Sequence, residues 1–579
     1  MLKEVFIKVV CSFTLVLFTL KPLKNCYFTF EVVTLSKESF RHWVDDTVNG
    51  LLSYWGNVKC YVCNCGLSVS GLQHIGRLRG EVILTNTVKE ELQRRGHEAK
   101  HFLVLYTQDQ WKGKESQIEV FSDREFAKSL VGRRLVDVPD PQDCHGSWVE
   151  HFWEPFGKYL DEFAVDVNVI STTELYKRDE VKSLVKEVFL RPDEIRGLIN
   201  KYRGRKPYPD GWIPFEPLCN NCKVIGGHRI LRFDLSSYTV EYECGNCGER
   251  GWSNIEDGKL NWRVEWAALW VALGVNFEPY GKDHATPGGS RDSCVEIVQK
   301  FFGKRPPYGM PYEWVALAYG GKEIGDMGSS DFMGITPEDW LLVAEPEVLR
   351  YLCLKNKPMR RMVIDPTKVP DYSDIYDHAE RVFYGFEEVE QEKERFEIIR
   401  SYELSQLKPP PEEMPVQLKY GHAVTLVQVL PKDTPLQSAI KRLKSTGLVR
   451  KDQLSSLDIK RIENRLKKAK NWVIKYAPEN LRIQILDHVP PEIKKSLSDE
   501  QKTALKAISR LLLSKKFTEE ELEQELYRIA KEESGLGSRA FFKTIYLVLL
   551  GKEQGPRLAP FLLLLEREWL ISRLEEVAE

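Results

Sequence analysis

The sequence predicts an α/β fold: a parallel sheet carrying the chemistry, interrupted by a small cysteine-rich module and followed by an all-helical C-terminal region. Three observations predict it. A strand, a long amphipathic helix and a second strand follow one another between residues 60 and 107. Two Cys-x-x-Cys pairs lie in a stretch rich in Gly, Pro and Asn. Beyond about residue 375 the strand signals give way to charged helical periods. With 579 residues the chain exceeds one compact core, so several modules are expected.

The elements follow in order. "CYVC" (60–63) reads as a buried strand leading into a turn between Gly66 and Gly71. "RLRGEVILTNTVKEELQRRG" then has helical periodicity and ends at Gly96, the residue type that closes helices through positive φ. "KHFLVLYT" (100–107) is a second buried strand, and strand, helix, strand in that order make a right-handed parallel βαβ unit. "AVDVNVI" (164–170) alternates apolar and polar positions and reads as a further strand. "SQLKPPPEEMP" (405–415) is a proline-rich linker, and "TEEELEQELYRIAKEE" (518–533) is a helix opened by a capping box from Thr518 to Glu521. The N-terminal run "VFIKVVCSFTLVLFTL" (5–20) contains Lys8, is short for a membrane helix and precedes no clean cleavage site. It is expected to be translated upstream sequence, with the true start near Val33 or Leu35.

The composition, 42% hydrophobic and 29% charged, is that of a globular protein, and a net charge of −2 excludes a generally basic nucleic-acid coat. Twelve cysteines in a chain this long are no disulfide framework. Cys219-x-x-Cys222 and Cys244-x-x-Cys247, 21 residues apart, instead suit two knuckles closing a tetrahedral structural Zn²⁺ site. Cys60, Cys63 and Cys65 read as core residues of the first strand. His145 and His151 beside Cys144 are assigned surface or packing roles. His74 and Gly76 fall where the first strand turns into the helix, and backbone N–H groups at such a helix start attract phosphate. "FEPYGKDHATPGGSRD" (277–292) gives Gly281, Asp283, His284, Gly288 and Gly289 in a polar loop suited to a ribose hydroxyl or a substrate amine. Residues 440–482 hold thirteen Lys or Arg against four Asp or Glu, and "RLKKAK" runs into Trp472. Basic side chains beside an exposed aromatic suit RNA; a solvated helix face with Trp472 in the core is the plainer reading.

The chain resembles class I lysyl-tRNA synthetases of the archaeal type. The resemblance rests on "VPDPQDCHGSWVEHF" (138–152), "TELYKR" (173–178), "WRVEWAALW" (262–270), "FEPYGKDH" (277–284), "AEPEVLRYL" (344–352), "NWVIKYAPE" (471–479) and "GKEQGPRLAPFL" (551–562), all in the family's order. It implies a Rossmann-like nucleotide-binding catalytic domain whose signature turn is residues 74–77, with Arg77 in place of the final histidine. His74, Gly76 and Arg77 would then be catalytic. ATP would contact His74, Gly76, Gly281, Asp283, Met327, Ser329 and Ser330. L-Lysine would meet Gly66, Ser68, Trp262 and His284; the family's acidic position falls on Gly80, with Glu81 next to it as the ammonium partner. Zn²⁺ would take Cys219, Cys222, Cys244 and Cys247, and tRNA(Lys) would contact Lys467, Lys468, Lys470 and Trp472.

The resemblance also implies Mg²⁺ with the ATP, a cytoplasmic location, no membrane partner and a monomer. The implied organisation is an extension (1–39), the first part of the catalytic domain (40–204), the zinc module (205–260), the second catalytic part with its signature loop (261–374), a helical domain with a basic face (375–486) and a helical anticodon-binding domain (487–579). One departure stands out. The second signature loop of the family carries two lysines, and here "GDMGSSDFMG" (325–334) has Asp326 and Asp331 in their places. A carboxylate beside triphosphate is repulsive, so Arg77, Lys282 or Lys322 is expected to supply the missing cation. The rival readings are a glutamyl or arginyl class I enzyme, and a zinc-containing tRNA-binding paralogue disarmed by the two aspartates.

Overall fold

The computed structural model describes residues 40–204, 206–431, 434–449 and 451–578; before residue 40 it describes only three antiparallel strand segments, Lys8–Cys11, Thr14–Pro22 and Phe28–Val32. The expected N-terminal extension otherwise lies outside the described residues. Among those residues no helix is long and apolar enough to cross a membrane.

The centre of the fold is a five-stranded, all-parallel sheet. Its strands are β1 (Tyr61–Leu67), β2 (Ala99–Leu105), β3 (Asn168–Ser171), β4 (Phe277–Gly281) and β5 (Tyr308–Tyr312), in the spatial order β5-β4-β1-β2-β3. The order reverses between β1 and β4, and in such sheets ligands bind in the crevice beyond the carboxyl ends of the strands at that point. β1 runs four residues past the expected "CYVC". Cys63 and Cys65 are buried within it, while Cys60 precedes it and is half-buried. The β3 reading is shortened: Ala164 adopts positive φ after a 3₁₀ turn, Asp161–Phe163, so the strand begins only at Asn168.

One continuous helix (75–94) packs against β1 and β2 and widens to a π-helical turn over Leu78–Ile83. Gly96 follows it with φ +85°, as its sequence position predicts. Helix α1 (Trp43–Trp55) buries Trp43, Val44, Val48 and Leu51 against the same unit.

The cysteine-rich segment is an insertion with both ends tied together. Phe215–Glu216 pairs with Lys259–Leu260, and beyond that base Arg229–Asp234, Thr239–Glu243 and Arg250–Asn254 form a small antiparallel sheet. After the last strand, Met362–Ile364, the described chain is helical. The most C-terminal helices enclose a separate apolar core that includes Leu505, Phe541, Leu549 and Phe561. The Thr518–Glu521 capping box forms as expected.

The basic run proves partly structural. Helix Ser456–Lys475 lies on the catalytic half, and Trp472 is fully buried with its indole N–H donating to Pro366 O at 2.8 Å. Lys468 is buried too, its ammonium donating to the carbonyls of Leu341 and Ala344 near the end of helix Pro337–Val343. Arg465 forks onto Asp377 and reaches Glu345. The expected RNA contacts of Trp472 and Lys468 therefore give way to packing, because the inward face of an amphipathic helix must bury its stripe. Lys467 and Lys470 remain exposed on the outer face. Trp472→Ala is expected to destabilise the fold by about 3–5 kcal/mol, whereas Lys467→Glu with Lys470→Glu is expected to leave the melting temperature unchanged and weaken RNA retention in filter binding.

Candidate active site

The carboxyl ends of β1 and β4 open into a cleft of about 740 Å³. It is lined by the segment after β1, the segment after β2 (106–117), the paired base of the insertion (Glu216 and Lys259), the start of the Trp262–Leu273 helix (α2), the end of β4 and the loop after it, residues 312–315, and residues 326–331.

At one end of the cleft, β1 turns through Ser68–Gln73 into the helix that starts at Ile75. Burial lowers the His74 imidazole to about 3, so it is neutral near neutral pH. Its Nδ1 and the Ser329 hydroxyl, both buried, have no hydrogen-bond partner among the described residues. The backbones here are pressed together. A Cβ on Gly71 would sit 2.5 Å from Ser329 O, and one on Gly334 would sit 2.6 Å from His74 Cβ. These glycines let residues 326–335 lie against the helix start, and Ile75 N–H donates to Ile335 O at 2.8 Å.

The other end is an aromatic box with one acid at its floor. Tyr106, Trp262, Trp266 and His284 have successive ring centroids 5.1–5.8 Å apart. A Cβ on Gly66 would be 2.6 Å from the Tyr106 ring, which leaves no room for a side chain there. Trp262, Trp266 and Trp270 recur every four residues along α2, so their indoles share one face. Trp266 Nε1 donates to Glu278 Oε1 at 2.6 Å; Trp270 Nε1 and Asn64 Nδ2 donate to Oε2 at 2.7 Å each. Glu278 is 3% exposed, and burial raises its carboxyl above the usual range. Three donors leave part of its acceptor capacity free. No Lys or Arg lies within ion-pair distance among the described residues, although the Arg291 charge is felt.

Most of the expected site residues meet in this cleft. His74, Gly76, Arg77, Gly66, Ser68, Glu81, Trp262, Gly281, Asp283, His284, Met327, Ser329 and Ser330 all line it. Glu81 is engaged, however: Arg77 Nη1 holds its Oε1 at 2.7 Å. Gly80 backs onto the Tyr312 ring, which occupies the room of a side chain at that position. Lys282 pairs with Glu313 at 2.6 Å, and Lys322 is exposed on the Lys322–Asp326 strand; neither lines the cleft. Glu278, Lys112 and Lys114 line it and were not singled out from the sequence. The tryptophan spacing 262, 266, 270 was the available signal for Glu278.

Two donor sets could hold metal. The sulfurs of Cys219, Cys222, Cys244 and Cys247 all lie within 4.8 Å of one another, and Cys219–Cys247 and Cys222–Cys244 are 3.7 Å apart. Zn–S bonds of about 2.3 Å in a tetrahedron place sulfurs about 3.8 Å apart, so the geometry fits one closed site. Asp140, Cys144, His145 and His151 also converge within 4.8 Å, with Cys144 Sγ 3.0 Å from His145 Nδ1 and 3.4 Å from His151 Nδ1. The two histidines, given a surface or packing role from the sequence, are partly exposed and both meet Asp140. Their spacing is local, but only the turn after Asp140 folds the donors inward.

The parallel sheet, with its cleft beyond the carboxyl ends of the strands at the point where the order reverses, fits the catalytic fold of a class I tRNA synthetase. The chain belongs to that class: its residues 41–408 match the family model "tRNA synthetases class I (K)", and 480–578 match "Anticodon binding domain". The chain is 44% identical to the lysine–tRNA ligase of Aeropyrum pernix over 93% of its own length and 98% of the relative's. It is 33% identical to the lysine–tRNA ligases of Pyrococcus horikoshii and Thermococcus kodakarensis, in each case over 92% of its length and 99% of theirs.

Proposed function

We propose that the chain attaches L-lysine to tRNA(Lys) through a lysyl-adenylate, using ATP with Mg²⁺. The observation that carries this reading is the placement, in one cleft, of a phosphate-binding helix start and a buried, cation-free carboxylate inside an aromatic box. The lysine side chain threads between Trp262, Tyr106 and His284 and presents its ammonium to Glu278, because Glu81 is occupied by Arg77. The substrate carboxylate then faces the His74–Gly76 turn. It attacks the α-phosphorus of ATP, the bond to the bridging oxygen breaks, and pyrophosphate leaves. A terminal ribose hydroxyl of the tRNA next attacks the adenylate carbonyl and releases AMP. No side-chain nucleophile is needed; positioning and charge stabilisation carry the reaction. His74 Nδ1 and the Ser329 hydroxyl are free to bond phosphate oxygens.

The four cysteines hold structural Zn²⁺, which ties together the cysteine end of the module, where the separate buried cluster is only Cys219, Tyr242 and Cys244. Cys219→Ser is expected to release one equivalent of zinc, read by atomic absorption, and to expose residues 215–260 to protease. Unchanged metal content would contradict this role. The protein acts as a cytoplasmic monomer, and exposed Lys467 and Lys470 contribute to the RNA-binding face. ATP–pyrophosphate exchange with tRNA present tests the amino-acid assignment. Lysine should support exchange and arginine and glutamate should not; exchange driven by glutamate would overturn it.

A further inference from the structure

We propose that Lys114 supplies the cation for the leaving pyrophosphate, on behalf of a loop that carries aspartates. The inference rests on the reading of the cleft as an ATP site. Residues 326–331 turn Asp326, Ser329 and Asp331 toward the cavity that receives the phosphates. Two uncompensated carboxylates there would repel a triphosphate. Each is met by a base from elsewhere in the chain. Asp326 lies 2.9 Å from Arg361, and Asp331 Oδ1 accepts from Lys114 Nζ at 2.9 Å.

The two bases are not equivalent. Arg361 also pairs with Glu323 and does not line the cleft, so it neutralises the hairpin and nothing more. Lys114 lines the cleft beside Lys112. Its ammonium donates to Ser330 Oγ at 2.8 Å as well, and its own segment is fastened to the loop: Ser116 Oγ donates to Ser330 O at 2.6 Å. Gln117 Nε2 ties the same segment to Ser70 O at 2.8 Å, beside the phosphate turn. A single short segment, 114–117, therefore bridges both phosphate-facing loops and places one ammonium between them.

The Lys114–Asp331 pair is open to solvent, and exposed ion pairs are weak. An entering triphosphate, with higher charge, can draw the ammonium away from Asp331 at little cost. As the lysine carboxylate oxygen bonds to the α-phosphorus and the α–β bond breaks, the electron pair stays on the β-phosphate oxygen. Lys114 stabilises that developing charge, and Asp331 takes the ammonium back when pyrophosphate departs.

The test is lysine-dependent ATP–pyrophosphate exchange by the full chain with tRNA, comparing wild type, Lys114→Met, Lys114→Arg and the double variant Lys114→Met/Asp331→Lys. Wild-type exchange establishes the ATP reading by itself; its absence would sink that reading and not this one alone. Lys114→Met should lower the exchange kcat about 100-fold, the cost of removing one preorganised charge donor, with the KM for lysine and the melting temperature within twofold and two degrees or so of wild type. Lys114→Arg, or the double variant that returns a cation to the loop, should recover most of the rate. Full activity in Lys114→Met, or a loss that neither of the other two variants relieves, would overturn the proposal.

Discussion

Glu278→Gln should raise the KM for lysine by roughly 10²- to 10⁴-fold, because removing one member of a buried charge pair costs about 3–5 kcal/mol. The amide keeps the shape and can still accept a hydrogen bond from Trp266 or Trp270, so the fold should melt near the wild-type temperature. The ammonium of bound lysine would lose its counter-charge in a pocket that excludes water. The turnover at saturating lysine should change far less, since the carboxylate end and the phosphates stay in place. The same carboxyl gives a pH dependence with a definite sign. Burial raises the Glu278 carboxyl above its ordinary range, and protonation removes the charge the ammonium needs. Lysine affinity should therefore fall as pH is lowered and hold above the carboxyl's range. Equal KM values for Glu278→Gln and wild type would place the ammonium at another of the acids that line the cleft, of which Glu81, Asp109, Glu216 and Asp283 are candidates.

His74→Ala should lower the rate of adenylate formation by about 10²- to 10³-fold, the range for deleting one preorganised donor at developing charge. The imidazole is buried at a helix start with an unpartnered Nδ1. Its depressed value of about 3 keeps it neutral, so it acts through a hydrogen bond and not as a cation. The KM for lysine should be nearly unchanged, because the aromatic box is built from other segments. Rapid-quench measurement of adenylate formation separates this loss from slow product release. A variant slowed less than fivefold would remove His74 from the chemistry.

The local grammar of the chain made much of this legible. A buried strand, a His-Ile-Gly turn and a helix closed by Gly96 are signals a few residues long, and the structure realises each of them. The two Cys-x-x-Cys pairs were readable for the same reason. What escaped were contacts decided by long-range packing. Glu278 lies in β4, where its neighbours are apolar, and becomes a charge site only because α2 turns two indole N–H groups onto it. Lys114 sits about 210 residues before the loop it serves and reads as one more surface lysine. Trp472 follows a basic run, and the resemblance assigned it to RNA over the plainer core reading; helical period decides its face, and that face meets Pro366. Asp326 and Asp331 signalled a problem in the sequence; the bases that answer them could be found only in three dimensions.

Charging of tRNA(Lys) with radiolabelled lysine by the purified full chain, supplied with ATP and Mg²⁺, tests the central claim most directly. Lysyl-tRNA should accumulate over many turnovers, with no charging by arginine or glutamate. Tight retention of tRNA and lysine with no lysyl-tRNA formed would contradict the account, and would mark the chain as a binding protein whose aspartate-bearing loop has ended its catalysis.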